Sequence, residues 1–229
     1  MTNFKISAKS KVVNFSAKKI GYSELKLQPW KNGGGVTREI AISPETATPS
    51  EAFLWRLSTA EVSSNGAFSN FPGYRRVLTL VEGKALILER PETADLVLKA
   101  QELFEFSGDE AISARLAPSA VRDFNLIYEP SEVEAQVHLL EIKSKPRSFQ
   151  LDGKTCFLFV ASGEIKASLY PGEKEFFLGQ YDTLKIDVHT DLGKKPKPHE
   201  EETTILLSAS SARLVFVELN PKKRESLKK

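Results

Sequence analysis

A chain of 229 residues with 32 basic against 30 acidic side chains has a formal charge of +2, too balanced for nucleic acid or an anionic membrane to be its main partner. Its single cysteine excludes an internal disulfide, and it has neither the apolar region of a secretory leader nor an apolar run near the roughly 18 residues of a membrane-spanning helix, so a cytoplasmic protein is expected. The length suits one large all-β domain or two small ones.

Apolar residues recur with period two or in short runs, and no stretch keeps the i, i+3, i+4, i+7 spacing of a helix. Strands are therefore expected throughout. The first candidate, 21–28, leads into Pro29-Trp30-Lys31-Asn32-Gly33-Gly34-Gly35-Val36-Thr37-Arg38-Glu39-Ile40. A flexible linker would dilute its glycines with Ser and Lys. Three in succession predict a crowded turn with exposed amides, because glycine admits positive φ and close backbone approach.

In the next candidate, 36–43, Val36, Arg38, Ile40 and Ile42 fall on one face and Thr37, Glu39 and Ala41 on the other. In 53–61, Leu54, Arg56, Ser58 and Ala60 alternate with Phe53, Trp55, Leu57 and Thr59. Arg38 and Arg56 thus point into apolar surroundings, where an arginine needs a carboxylate, carbonyls or a bound anion. Trp30 and Trp55 could wall a ligand, with core packing the default for a Trp near a strand. Residues 66–76, with Phe68, Phe71 and a Pro-Gly pair, predict an ordered turn folding over a barrel mouth; a packed Ω-type loop without ligand is the equal alternative.

Further strands are expected at 76–81, 84–89, 95–99, 103–106, 111–116 and 123–128, then at 134–142, 156–161, 166–170, 175–178, 183–188, 203–209 and 213–219. The hairpin around Gly83 resembles that around Gly163, and Gly108-Asp109 has a counterpart in Gly179 to Asp182. An apolar strand ending in such a turn resembles the cupin layout, and two copies make a bicupin: two jelly-roll (RmlC-like) barrels in one chain. Residues 1–130 are expected to form the first barrel and 131–229 the second with a basic tail, with strand exchange between the halves. Residues 190–202 read as a surface loop. The tail from 222 reads as a frayed end, since no aromatic is interleaved with its charges to suit RNA.

The only histidines are His138, His189 and His199. None has ligand spacing, so neither metal nor cofactor is expected. Cys156 lies in an apolar run and reads as a buried structural thiol. There is no Gly-x-Ser-x-Gly elbow, and the glycine triplet lacks the Gly-Lys-Ser/Thr ending of a nucleotide loop.

Pro29 to Gly35 with Thr37-Arg38-Glu39-Ile40, Trp55-Arg56-Leu57-Ser58, Gly66-Ala67-Phe68-Ser69, Phe71-Pro72-Gly73, Gly108-Asp109 and Asp123-Phe124-Asn125 together resemble the HutD/Ves family of bacterial bicupin proteins. The resemblance covers roughly residues 20–130; the second half matches only as a compatible β domain. It implies a two-barrel cupin without the usual metal ligands, associated with histidine utilisation and proposed to sense a degradation product such as N-formylglutamate. By position it implies a pocket lined by Trp30, Asn32, Gly34, Thr37, Arg38, Arg56, Ser58, Ser69 and Arg75. The arginines would pair with ligand carboxylates and the Asn and hydroxyls would fix orientation.

The expected function is metal-free binding of a small carboxylate metabolite, N-formylglutamate or formate, by a sensor or regulator of amino-acid utilisation, with no direct nucleic-acid or membrane partner and a homodimer left open. A rival is a metal-independent enzyme using Glu39 or Glu61 as general base. A third reading is a protein-interaction module that presents an exposed apolar patch and takes no ligand.

Overall fold

The computed structural model describes residues 14–30, 33–117, 119–189 and 203–222. Asn32, the loop expected at 190–202 with His199, and the tail from 223 lie outside the described residues. In chain order the strands are β1 (Asn14–Ile20), β2 (Leu27–Pro29), β3 (Gly35–Ser43), β4 (Trp55–Val62), β5 (Gly66–Ala67), β6 (Arg75–Glu82), β7 (Ala85–Glu89), β8 (Leu96–Lys99), β9 (Leu103–Ser107), β10 (Ser113–Ala117) and β11 (Val121–Tyr128). The remainder are β12 (Val133–Lys143), β13 (Arg147–Gln150), β14 (Thr155–Gly163), β15 (Ile165–Tyr170), β16 (Lys174–Leu178), β17 (Thr183–His189), β18 (Thr204–Ser208) and β19 (Ser211–Pro221).

These strands form four antiparallel sheets, ordered β5-β10-β7-β8, β2-β3-β4-β11-β6-β9, β1-β17-β14-β19-β12 and β13-β18-β15-β16. Three apolar clusters stack the sheets as four layers in that order. Leu78, Leu80 and Phe106 of the second sheet meet Leu86, Leu88 and Leu98 of the first. Leu57, Phe124 and Leu126 on its other face meet Phe157, Phe159 and Val217 of the third, whose far face packs Leu158, Leu184 and Leu214 against Leu169 and Leu207 of the fourth. The two inner sheets are thus buried on both faces, which explains the unbroken runs of buried residues, polar ones included, in β4, β6, β11 and β14.

The strand expected at 21–28 is instead a 3-10 turn, Tyr22–Glu24, followed by the short β2. Periodicity also misses β1, whose sequence NFSAKKI is mostly polar. It pairs along its length with β17, from Asn14 opposite His189 to Ile20 opposite Thr183, so the first described strand completes a sheet built otherwise from late strands. The remaining misses, β5 and β13, are two and four residues long.

A register shift between Glu39 and Ala41 breaks the alternation of β3. Such a bulge adds one residue and exchanges faces beyond it. Ile40 therefore sits in the cluster between the inner sheets while Ile42 joins Phe53 and Ile127 at the rim of the first half.

Candidate functional site

One face of the second sheet, covered by the segment 67–71, encloses a cavity of about 610 Å³. Period-two alternation places its polar walls. Arg56, Ser58 and Ala60 reach it from β4, and Asp123, Asn125 and Ile127 from the neighbouring β11. Arg76 enters from β6, opposite Ile127. Trp30, Thr37, Phe68 and Phe71 complete much of the rim.

Two guanidinium groups dominate the site. Arg56 is 7% exposed, and its Nε donates to Glu39 Oε2 at 2.7 Å. Arg76 is 3% exposed; its Nη1 donates to the Ser69 carbonyl at 3.0 Å, and its Nε is buried without a hydrogen-bond partner. Its guanidinium carbon lies 4.9, 5.2 and 5.6 Å from the ring centroids of Phe106, Phe68 and Phe71, a cation–π cage that holds the charge where water is scarce. Burial pulls the Arg76 pKa down to about 10, with Asp123 opposing the shift and Arg56 adding to it.

Asp123 is 1% exposed. Burial pushes its carboxyl up to about 7 from 3.8, against the attraction of Arg76 and the hydrogen bond that Ala60 N donates to its Oδ1 at 3.2 Å. Two residues on, Asn125 Oδ1 is also buried without a partner. The cavity wall thus carries both an unused donor, Arg76 Nε, and an unused acceptor, each costly to bury unless something polar fills the space.

The glycine turn shapes this wall and does not present its amides as the sequence leads one to expect. Gly33, at φ +70°, donates its amide to the Trp30 carbonyl at 3.0 Å, and Trp30 N donates to Gly35 O at 2.9 Å. A Cβ on Gly35 would strike the Glu61 carbonyl and come within 3.1 Å of the Trp30 ring. The turn therefore clamps Trp30 over the cavity, where its Nε1 donates to Thr37 Oγ1 at 2.7 Å. Gly34 contributes its carbonyl to Ser63 N and Ser64 N and does not line the cavity.

Of the residues expected at the site, Trp30, Thr37, Arg56, Ser58 and Ser69 come together around the cavity. Arg38 does not. It faces the other way from Thr37, with its guanidinium carbon 4.7 Å from the Tyr22 ring centroid and Nη1 donating to Leu25 O at 2.9 Å. Arg75 also points out, pairing with Glu105 at 3.0 Å, and the adjacent Arg76 takes the inward place. Glu61 is exposed and pairs with Arg122 at 3.0 Å, outside the cavity. Trp55 is core, edge-on to Phe157.

Sequence reasoning misses Arg76, Asp123 and Asn125 as site residues, whereas Phe68 and Phe71 lie over the cavity in the segment expected to fold over the barrel mouth. The signal lies in β11, where Asp123 and Asn125 alternate with Phe124 and Leu126: polar residues on one face of a strand buried on both sides need a reason to be there.

Elsewhere, Cys156 is fully buried and its thiol is pushed up to about 12 by that burial. Among the described residues, no group of three or more His, Cys, Asp or Glu could hold a metal ion, and no helix is long and apolar enough to cross a membrane.

The family model described as HutD matches residues 22–205. A Pseudomonas putida protein described as an uncharacterized 21.2 kDa protein in the hutC 3' region is 35% identical over 164 residues, covering 72% of this chain and 83% of its own length. Protein Ves of Escherichia fergusonii is 34% identical over 147 residues, 62% of this chain and 73% of its own. The structure of HutD from Pseudomonas fluorescens SBW25, in a formate condition, is 30% identical and superposes over 91% of this chain and 100% of its own with a TM-score of 0.73. More distant solved structures, at 9% and 10% identity with TM-scores of 0.66 and 0.62, share the fold alone, an all-β, cupin-like one. With 184 of its 229 residues spanned by the family model, the chain belongs to the HutD family.

Proposed function

We propose that this chain is a bicupin whose first barrel binds a small carboxylate metabolite without a metal, and that it acts as a sensor or regulator linked to histidine utilisation. One observation carries the binding reading: Arg56 and Arg76, both almost fully buried, line the same cavity. Arg76 Nε lacks a partner, and among the described residues Arg56 hydrogen-bonds only through its Nε, to Glu39. Guanidinium nitrogens left open on buried side chains suit a carboxylate, which accepts two parallel charge-assisted hydrogen bonds. Trp30, Phe68 and Phe71 supply apolar walls for the rest of such a ligand.

Membership in the HutD family supports the link to histidine utilisation. Formate, N-formylglutamate and related dicarboxylates are the ligands to try. The four-layer stack, with one apolar core between each outer sheet and its inner neighbour, supports the two-barrel reading. An enzyme using Glu39 or Glu61 has less behind it, since Glu39 is engaged by Arg56 and Glu61 lies outside the cavity.

The test is a thermal-shift screen with formate, N-formylglutamate, glutamate, urocanate, histidine and divalent metals, with and without chelator. A ligand that prefers the native state raises the melting temperature saturably. The expected result is a chelator-insensitive rise with a carboxylate. A rise with metal alone would overturn the reading.

A further inference from the structure

We propose that Asp123 is a recognition residue that takes up a proton when an anion enters the cavity and donates that proton to the anion as a hydrogen bond. The inference rests on the carboxylate-binding reading and adds a residue and a proton to it.

The cavity already balances its charges. Arg56 and Arg76 bring two positive charges; Glu39, through its pair with Arg56, and Asp123 bring two negative ones. A carboxylate arriving beside them leaves one negative charge in excess next to side chains that are almost fully buried. Such an excess is unfavourable at low dielectric and is relieved by protonating the most weakly held carboxylate. That group is Asp123. Glu39 is held by a 2.7 Å ion pair. Among the described residues, Asp123 has no hydrogen bond from an arginine, only the Ala60 amide at 3.2 Å, and burial already brings its carboxyl to about 7.

The surroundings agree from each side. Arg76 on β6 and Arg122 on β11 itself favour the charged form. Arg122 is occupied by Glu61 at 3.0 Å and Glu82 at 3.4 Å. On β4, Ala60 and Ser58 are uncharged, and the charge of Arg56 is offset by Glu39 of β3, which its Nε engages. The covering segment offers Phe68, Ser69 and Phe71, and the facing first sheet offers Leu86, Leu88 and Ala114. Among the described residues, Asp123 is thus the carboxyl of the cavity that no arginine holds by a hydrogen bond. Once protonated it becomes a donor, and two carboxyl groups sharing one proton is a known way for buried acids to sit together.

The test uses formate as probe and follows the ¹³C carboxyl resonance of Asp123 from about pH 5.5 to 8.5, with and without saturating formate, while the formate resonance reports binding independently. Saturating formate is expected to raise the Asp123 midpoint by about one unit or more, and the formate Kd to weaken as pH rises between the ligand-free and formate-bound midpoints, by about tenfold in total for each unit of that shift. In Asp123→Asn, where the resonance is absent and its assignment thereby checked, the Kd should be flat with pH. A midpoint unmoved by bound formate, or a wild-type Kd as flat as the variant's, overturns the proposal and leaves the cavity assignment standing. No formate binding at any pH overturns the cavity reading for this anion and the proposal with it. The wild-type titration decides the matter even if the variant does not fold.

Discussion

Arg56 Nε and Glu39 Oε2 meet at 2.7 Å on adjacent strands, just before the bulge that turns Ile40 toward the layer between the inner sheets. The pair anchors the guanidinium by one nitrogen and lines the cavity with the rest. Arg56→Ala is expected to lower formate affinity by about 10- to 100-fold, the value of a charge-assisted hydrogen bond, and to cost about 1–3 kcal/mol of stability through the stranded Glu39. Arg38→Ala should leave the affinity unchanged, because Arg38 is spent on Tyr22 and Leu25. Calorimetric titration of both variants checks the contrast; equal losses would reject it.

Arg75 and Arg76 are neighbours with opposite fates. Arg75→Ala removes an exposed pair with Glu105 and should shift stability by no more than about 0.5 kcal/mol, with no change in binding. Arg76→Met keeps an unbranched side chain among Phe68, Phe71 and Phe106 but removes the charge, so the fold should survive and anion binding should not. Urea unfolding alongside ligand titration separates the two effects.

Asp123 ties stability to pH. Its folded value is raised, to about 7 against 3.8. Its contribution is therefore complete below the unfolded value and is lost as pH rises through the folded one. Wild-type melting temperature is expected to fall relative to Asp123→Asn between about pH 4 and pH 7, a window set by those two values. Parallel scans across that range would show the divergence, and curves that stay parallel would contradict it.

Gly35 and Gly33 predict different costs within one turn. Gly35→Ala pushes a methyl into the Glu61 carbonyl and the Trp30 ring and should cost about 1–3 kcal/mol while loosening the cavity wall. Gly33→Ala meets nothing within 4 Å but must hold φ +70°, at about 1–2 kcal/mol. Chemical denaturation, read with Trp fluorescence, measures both.

The strands that run through the core are legible in the sequence because burial imposes period two or an unbroken apolar run, and β3, β4, β6, β11 and β14 fall within two residues of their expected bounds. The polar β1 is not legible, since its place depends on pairing with β17, far along the chain. Alternation also brings Arg56, Ser58 and Thr37 to the cavity but misleads at Arg38, where the neighbouring Ile40 is apolar because it faces the layer between the inner sheets and not the cavity. Period-two reading assigns residues to two faces; in a sheet buried on both sides it cannot say which face holds the site. The choice of Arg75 over Arg76 fails for a related reason: a one-residue shift exchanges outside for inside.

The most direct test of the central claim is a crystal structure of the protein with formate or N-formylglutamate, refined alongside an Arg56→Ala crystal treated identically. A carboxylate is expected within about 3 Å of guanidinium nitrogens of Arg56 and Arg76, absent from the variant. A ligand bound elsewhere, or one held equally well without Arg56, would contradict it.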